Sequence, residues 1–204
     1  MRQSARTPIV DHLTVDEIER LLEALDVGRY GARSVALGLM LWGTGAKISE
    51  LLGAPIGSLR LHDGETGRLE LGDREVVVPA RALAAALRYL ESRGSPRRGV
   101  IFEGQRGGAL DRTTVWRMFR CAAARSGLQD RKPGGRWRIH PQTLRNSYAV
   151  QMLRAGAEVW EVQRQLGLTI SRMEPYLEVI AGEGAAVRHP MGRVEPRSAV
   201  SSQR

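Results

Sequence analysis

The stretch Leu59-Arg60-Leu61-His62-Asp63-Gly64-Glu65-Thr66-Gly67-Arg68-Leu69-Glu70-Leu71-Gly72-Asp73-Arg74-Glu75-Val76-Val77-Val78-Pro79 decides the fold class. Three short runs, Leu59 to Leu61, Arg68 to Leu71 and Glu75 to Val78, are rich in strand-forming residues. Asp63-Gly64 and Gly72-Asp73 separate them, and both pairs are turn sequences. Pro79 has no N–H to offer a ladder and stops the last run. The reading is a small antiparallel sheet joined by hairpin turns.

On either side the periodicity is helical. Upstream, Thr14 is a good N-cap and Glu17 completes a capping box, while Ile18, Leu21, Leu22 and Leu25 share one face. Gly28 and Gly31 are read as breaking this helix, and Ala32 to Trp42 as a buried one. Gly43-Thr44-Gly45 forms a turn, and Lys47 to Leu52 begins a short helix that Pro55 ends. Downstream, Ala80 to Leu90, Thr113 to Arg125, Thr143 to Arg154 and Val159 to Leu166 are all patterned as helices. The expected fold class is α+β, mostly helical. Residues 1–11 are expected to be flexible, 12–181 to form the domain, and the Gly-, Pro-, Ser- and Arg-rich residues 182–204 to be a disordered tail.

Composition narrows the function. The chain has 204 residues, 42% hydrophobic and 26% charged, which excludes wholesale disorder. No apolar run approaches the roughly 20 residues of a membrane-spanning helix. The N-terminus lacks the apolar core of a signal peptide, so a cytoplasmic protein is the expectation. Cys121 is the single cysteine, which excludes an internal disulfide and a Cys-rich zinc site. No metal or cofactor is expected. Cys121 itself reads as a buried small apolar residue.

The net charge is +9, and only Lys47 and Lys132 are lysines, so 29 of the 31 cations are arginine. A GC-rich genome produces such a bias too, yet arginine forks match phosphate oxygens. Nucleic acid is therefore the first partner expected, ahead of an acidic membrane surface; no membrane partner is assigned. The loop Arg131-Lys132-Pro133-Gly134-Gly135-Arg136-Trp137-Arg138 is the clearest candidate for DNA contact, being basic with an aromatic. Trp42, Trp116 and Trp160 fall on separate elements and are expected mostly in the core. His140 reads as a hydrogen-bonded structural histidine.

Three further segments, in order, share a pattern. Gly45-Ala46-Lys47-Ile48-Ser49-Glu50-Leu51-Leu52 resembles the first active-site box of tyrosine recombinases, Gly-x-Arg-x-x-Glu-Leu. His140-Pro141-Gln142-Thr143-Leu144-Arg145-Asn146-Ser147-Tyr148-Ala149 resembles the second. Leu166-Gly167-Leu168, with Tyr176 shortly after, resembles the Leu-Gly-His and nucleophilic Tyr of the third. The hairpin and the opening Leu-Thr-x-x-Glu helix fit as well, so the resemblance spans about residues 12 to 180. It leaves no room for the N-terminal core-binding domain usual in the family, and the chain looks like the short fimbrial-switch integrases.

The resemblance implies a phosphotyrosyl chemistry. A tyrosine attacks a DNA phosphodiester, leaving a 3′-phosphotyrosyl link and a free 5′-hydroxyl. Two arginines clamp the non-bridging oxygens, a hairpin lysine protonates the leaving oxygen, and histidines handle protons. Carried over, Tyr176 is the nucleophile position, Arg145 the second clamp and Glu50 the acidic residue of the first box. Lys47 stands at the first arginine, offering a point charge in place of a fork. Gln142 stands at the histidine and cannot take a proton. Leu168 stands at a His or Trp, and Leu71 or a neighbour at the hairpin lysine, with Arg74 the nearest cation and a candidate DNA contact. The stretch from Leu168 to Tyr176 is one residue shorter than usual. Each lost group typically costs about 10²–10⁴ in rate. The expectation is an integrase-like pseudoenzyme, a DNA-binding accessory or regulator, acting as a homo-oligomer on DNA or beside a partner recombinase. The alternative is an active recombinase working through Tyr176.

Overall fold

The computed structural model describes residues 10–128, 138–183, 187–189 and 192–194. The chain divides into two compact units: residues 11–148 form one, and the chain from residue 149 onward belongs to the other.

The first unit opens with α1 (Val15–Leu25). Thr14 Oγ1 accepts the Glu17 N–H at 3.2 Å, and the Glu17 carboxylate accepts the Thr14 N–H at 2.9 Å. This is the expected capping box, meeting two donors that the first turn would otherwise orphan. Ile18, Leu21, Leu22 and Leu25 are buried. The second helix, α2 (Gly31–Thr44), starts at one of the two glycines expected to break the first; α1 has already ended at Asp26. Gly38 lets these helices approach closely, since a Cβ there would lie 2.8 Å from Leu22 Cδ2.

After α3 (Ile48–Gly53) come β1 (Leu59–Leu61), β2 (Gly67–Leu71) and β3 (Arg74–Val78), an antiparallel sheet in that order. Leu69 pairs with Leu59 on one side and Val76 on the other. Leu69, Leu71, Val76 and Val78 are buried, while Glu70, Glu75 and Val77 point to solvent. The alternation gives one wet and one dry face. Then follow α4 (Ala80–Ser92), α5 (Arg112–Arg125) and α6 (Pro141–Arg154). α2 packs against α4, α1 and β3, and α1 packs against α5. Leu37, Met40, Phe102 and Phe119 lie fully buried in this core.

A strap of three residues ties the chain ahead of α1 to α6. Leu13 N–H donates to Ser147 Oγ at 2.8 Å, Asn146 Nδ2 donates to the Asp11 carbonyl at 2.9 Å, and Arg138 Nη2 donates to the His12 carbonyl at 3.2 Å.

The second unit holds α7 (Val159–Leu166), which ends on left-handed Gly167, and α8 (Glu174–Gly182). Beyond residue 182, where the composition leads to an unstructured tail, β4 (Val187–His189) pairs antiparallel with β5 (Gly192–Val194). Both α7 and α8 pack against β4, so tertiary support supplies what local sequence does not.

Two expectations about side chains are corrected. Cys121 is exposed: α5 buries Val115, Phe119, Ala122 and Ala123, and Cys121 falls off that face. Trp116 and Trp160 are 38% and 44% exposed, each with an arginine one turn later lying over its ring at 5.4 Å. Among the described tryptophans, only Trp42 packs against the core. Arg131, Lys132, Arg136 and Trp137 lie outside the described residues. No described helix is long and apolar enough to cross a membrane.

The close approach at Gly38 sets a stability test. Gly38→Val adds a branched side chain against buried Leu22 and Leu25, and overpacking of this kind costs about 1–3 kcal/mol. Urea unfolding should show that loss; an unchanged midpoint would mean that α1 shifts freely.

Candidate functional site

The first and second boxes come together inside the first unit. α2 ends on Gly45, whose φ of +62° suits a residue without a Cβ. The left-handed turn presents the Gly45 carbonyl to Arg145, which donates Nη1 to it from α6. Arg145 is 2% exposed, so its guanidinium is held inside the fold and not on a free surface. A buried arginine keeps its charge and five donors in fixed planar geometry.

Two residues past Gly45, Lys47 caps α3. Glu50, in the first turn of α3, organises what surrounds it. Its carboxylate accepts the Lys47 backbone N–H at 2.7 Å and both terminal nitrogens of Arg74 at 2.8 and 2.7 Å. Lys47 Nζ stands 3.4 Å away, half exposed. Arg74 reaches across from the start of β3, just past the Gly72-Asp73 turn, and its Nε is buried without a hydrogen-bond partner. Burial pushes the Glu50 carboxyl up, but the Arg74 hydrogen bonds, the Lys47 N–H and both positive charges outweigh it, holding it below the ordinary 4.5.

Gln142 is exposed on the first turn of α6 and donates Nε2 to Asn146 Oδ1 at 3.0 Å. It lines a cleft of about 450 Å³ with Ile48, Arg112, Thr113, Trp116, His140 and Pro141. The first turns of α3, α5 and α6 therefore all open onto this cleft. Helix N-termini carry partial positive charge and favour anions, although Asp111 already caps α5 through the Thr113 and Thr114 N–H groups. Arg112 and Trp116 line this cleft, with Arg120 over the Trp116 ring; sequence reading passed over both arginines and gave Trp116 to the core. The signal was present, because a tryptophan and an arginine at i and i+4 share a helix face.

The other sequence candidates are placed differently. Leu71 is buried at the end of β2, paired across the turn with Arg74. Arg138 turns inward, binding the Glu17 carboxylate at 3.1 and 3.2 Å. Tyr176 belongs to the second unit, in the first turn of α8 and 7% exposed, with Met173 and Ile180 buried on the same element. Leu168 follows the left-handed Gly167 and is half-buried. Among the described residues no three His, Cys, Asp or Glu side chains gather as metal ligands.

The Glu50 hub can be tested by titration. Glu50→Gln removes charge-assisted hydrogen bonds and should cost about 1–3 kcal/mol at neutral pH. A carboxyl whose folded pKa is lowered contributes fully above its unfolded value and loses that contribution as pH falls through the folded one. The difference in unfolding free energy between wild type and Glu50→Gln should thus close on acidification below about pH 4.5. A gap that stays constant into acid would remove Glu50 from the centre of the network.

Comparison with known proteins gives the family. Residues 11–176 match the phage integrase family. The tyrosine recombinase XerD of Bifidobacterium longum is 34% identical over 173 residues, covering 77% of this chain and 54% of that protein. The crystal structure of XerA recombinase superposes with a TM-score of 0.70 at 24% identity, over 89% of this chain and 65% of that one. The XerH site-specific recombinase, in its post-cleavage complex with a palindromic difH substrate, superposes at 0.71 and 23% identity, over 87% of this chain and 52% of that one. The chain spans about half the length of the curated relatives it matches. It belongs to the phage integrase family, the tyrosine recombinases.

Proposed function

We propose that this chain binds duplex DNA through the cleft at its box-one and box-two residues and is impaired in strand cleavage, serving as an accessory or regulatory member of its family. The observation that carries this is the contrast between two kinds of group in one unit. The charge that would bind a phosphate is kept: Arg145 is buried and wired to Gly45, Lys47 stands half exposed ahead of α3, and Arg112 lines the cleft. The groups that would move protons are replaced: Gln142 is engaged with Asn146, and Leu71 is packed in the core. An amide and an isobutyl group supply neither a base nor an acid. Arg74 cannot stand in for the lysine as an acid, since guanidinium does not deprotonate in this range. The XerH neighbour is a recombinase bound to its DNA substrate, which supports DNA as the ligand of this fold surface.

A second reading rests on Tyr176. It is retained near the family's spacing and sits in the first turn of α8. In that reading the chain cleaves DNA, with Lys47, Gln142 and Arg74 replacing the usual groups. A nicked suicide substrate separates the two. No covalent adduct is expected from the wild-type chain, and an adduct that disappears in Tyr176→Phe establishes the enzyme.

Binding has its own signature. Each phosphate neutralised contributes about −0.9 to the slope of log K against log salt, so affinity should fall steeply between low and moderate salt. Arg145→Lys, which keeps the charge but loses the fork, should weaken binding, whereas Tyr176→Phe should leave it unchanged. A flat salt response, or equal effects from both substitutions in chains of wild-type melting temperature, would falsify the DNA-binding reading of this pocket.

A further inference from the structure

Two clefts in the first unit, each of about 270 Å³, meet at Arg33 near the start of α2. Arg33 is only 6% exposed. Its Nη1 donates to the Glu103 carbonyl at 2.9 Å, and its guanidinium lies 4.4 Å over the Tyr30 ring. No carboxylate pairs with it among the described residues, and its Nε is buried without a hydrogen-bond partner. A desolvated cation without a counter-charge, with an unmet donor besides, is an unfavourable state that an anion would relieve.

The surroundings strengthen the case. One cleft carries Arg29 and Arg93, and the other Arg117 and Arg125. The only carboxylate lining either is Glu103, already paired with Arg93 at 2.6 Å. Arg29 also lies over Tyr30, 4.5 Å from its centroid, so two guanidinium groups share one aromatic ring at the junction. Asp26 stands beside Gly31, its Oδ1 2.5 Å from where a Cβ would lie. The start of α2 thus already faces a carboxylate, and an anion belongs on the arginine side. This is a different surface from the cleft of Trp116 and Gln142. At about 100° per residue, Trp116 and Cys121 are about 140° apart around α5.

We propose that this junction is a second phosphate-binding site, in which Arg33 and its neighbours take the phosphate group of a nucleic-acid backbone or of a free phosphate compound. Guanidinium forks bind such oxyanions bidentately, and partial burial strengthens each bond. The site requires neither strand cleavage nor the boxes, so its fate is independent of the function proposed above.

Cys121 supplies a reporter in place. It is the chain's single cysteine, it is exposed, and it lines the same cleft as Arg33 and Arg117. The rate of its alkylation by neutral iodoacetamide is measured on the full chain in three arms: inorganic phosphate, sodium chloride at matched ionic strength, and duplex DNA. If only the empty site reacts, phosphate at ten times its Kd slows labelling about ten-fold, and the effect saturates. Arg117→Gln and Arg29→Gln, both exposed positions outside the core, should lose most of that protection while melting like wild type. Protection by inorganic phosphate assigns a free phosphate compound as a sufficient ligand. Protection by DNA alone, lost in the same variants, assigns a backbone phosphate. No saturable slowing in either arm, or equal slowing in wild type and both variants, overturns the proposal.

Discussion

The bond from Arg145 to the Gly45 carbonyl is the contact on which the site's geometry depends. Those residues are a hundred positions apart, and they join the turn after α2 to the helix that carries the second box. A guanidinium this deeply buried must find acceptors in fixed places, because an unmatched buried charge is far costlier than an unmatched exposed one. The requirement runs in both directions. Gly45 must keep its left-handed conformation for its carbonyl to point at Arg145, and α6 must keep its register for Arg145 to arrive. Lys47 and Glu50 then inherit their positions, because the N-cap of α3 lies two residues beyond Gly45.

In so basic a protein the carboxylates are the scarce resource, and the few in the fold's joints each hold arginine. Glu50 ties the hairpin to α3 through Arg74, Glu17 ties α1 to the residues before α6 through Arg138, and Glu103 holds Arg93 beside α4. These pairs are half-buried, where attraction is less screened than at the surface. They divide the arginines into two populations. Some are spent on architecture, as Arg74, Arg93 and Arg138 are; others, such as Arg112 and Arg117, project from α5 and give the surface its positive field.

Local signals were the legible ones. The Thr14–Glu17 box, the turn pairs between the strands and the i, i+3, i+4 faces of α1 and α7 are written within a few residues, and the helical fold with one small sheet follows from them. The order of the three boxes placed the chain among the recombinases. What escaped was what depends on distant partners or on fine rotation. Arg74 and Arg138 read as free cations, because the carboxylates that hold them are 24 and 121 residues away. Cys121 read as buried because it shares a helix with Phe119 and Ala122, but a helix turns 100° in one step and carries it off their face. Trp116 and Trp160 were given to the core because they fall on separate elements, without weighing the arginine one turn on that lies over each ring. The paired strands after residue 186 lacked any alternation long enough to notice.

The strap formed by Asp11, His12 and Leu13 makes the start of the first unit a mechanical part. Its bonds end on Asn146 and Ser147, the two residues directly after Arg145, and on Arg138 ahead of α6. Force applied to the backbone at residue 10 therefore does not dissipate in a loose leader. It loads α6 directly, in shear along hydrogen bonds that share the stress, and reaches the buried guanidinium without passing through the hydrophobic core. Whatever is attached ahead of Asp11, whether a tag or a domain, pulls on the helix that carries Arg145.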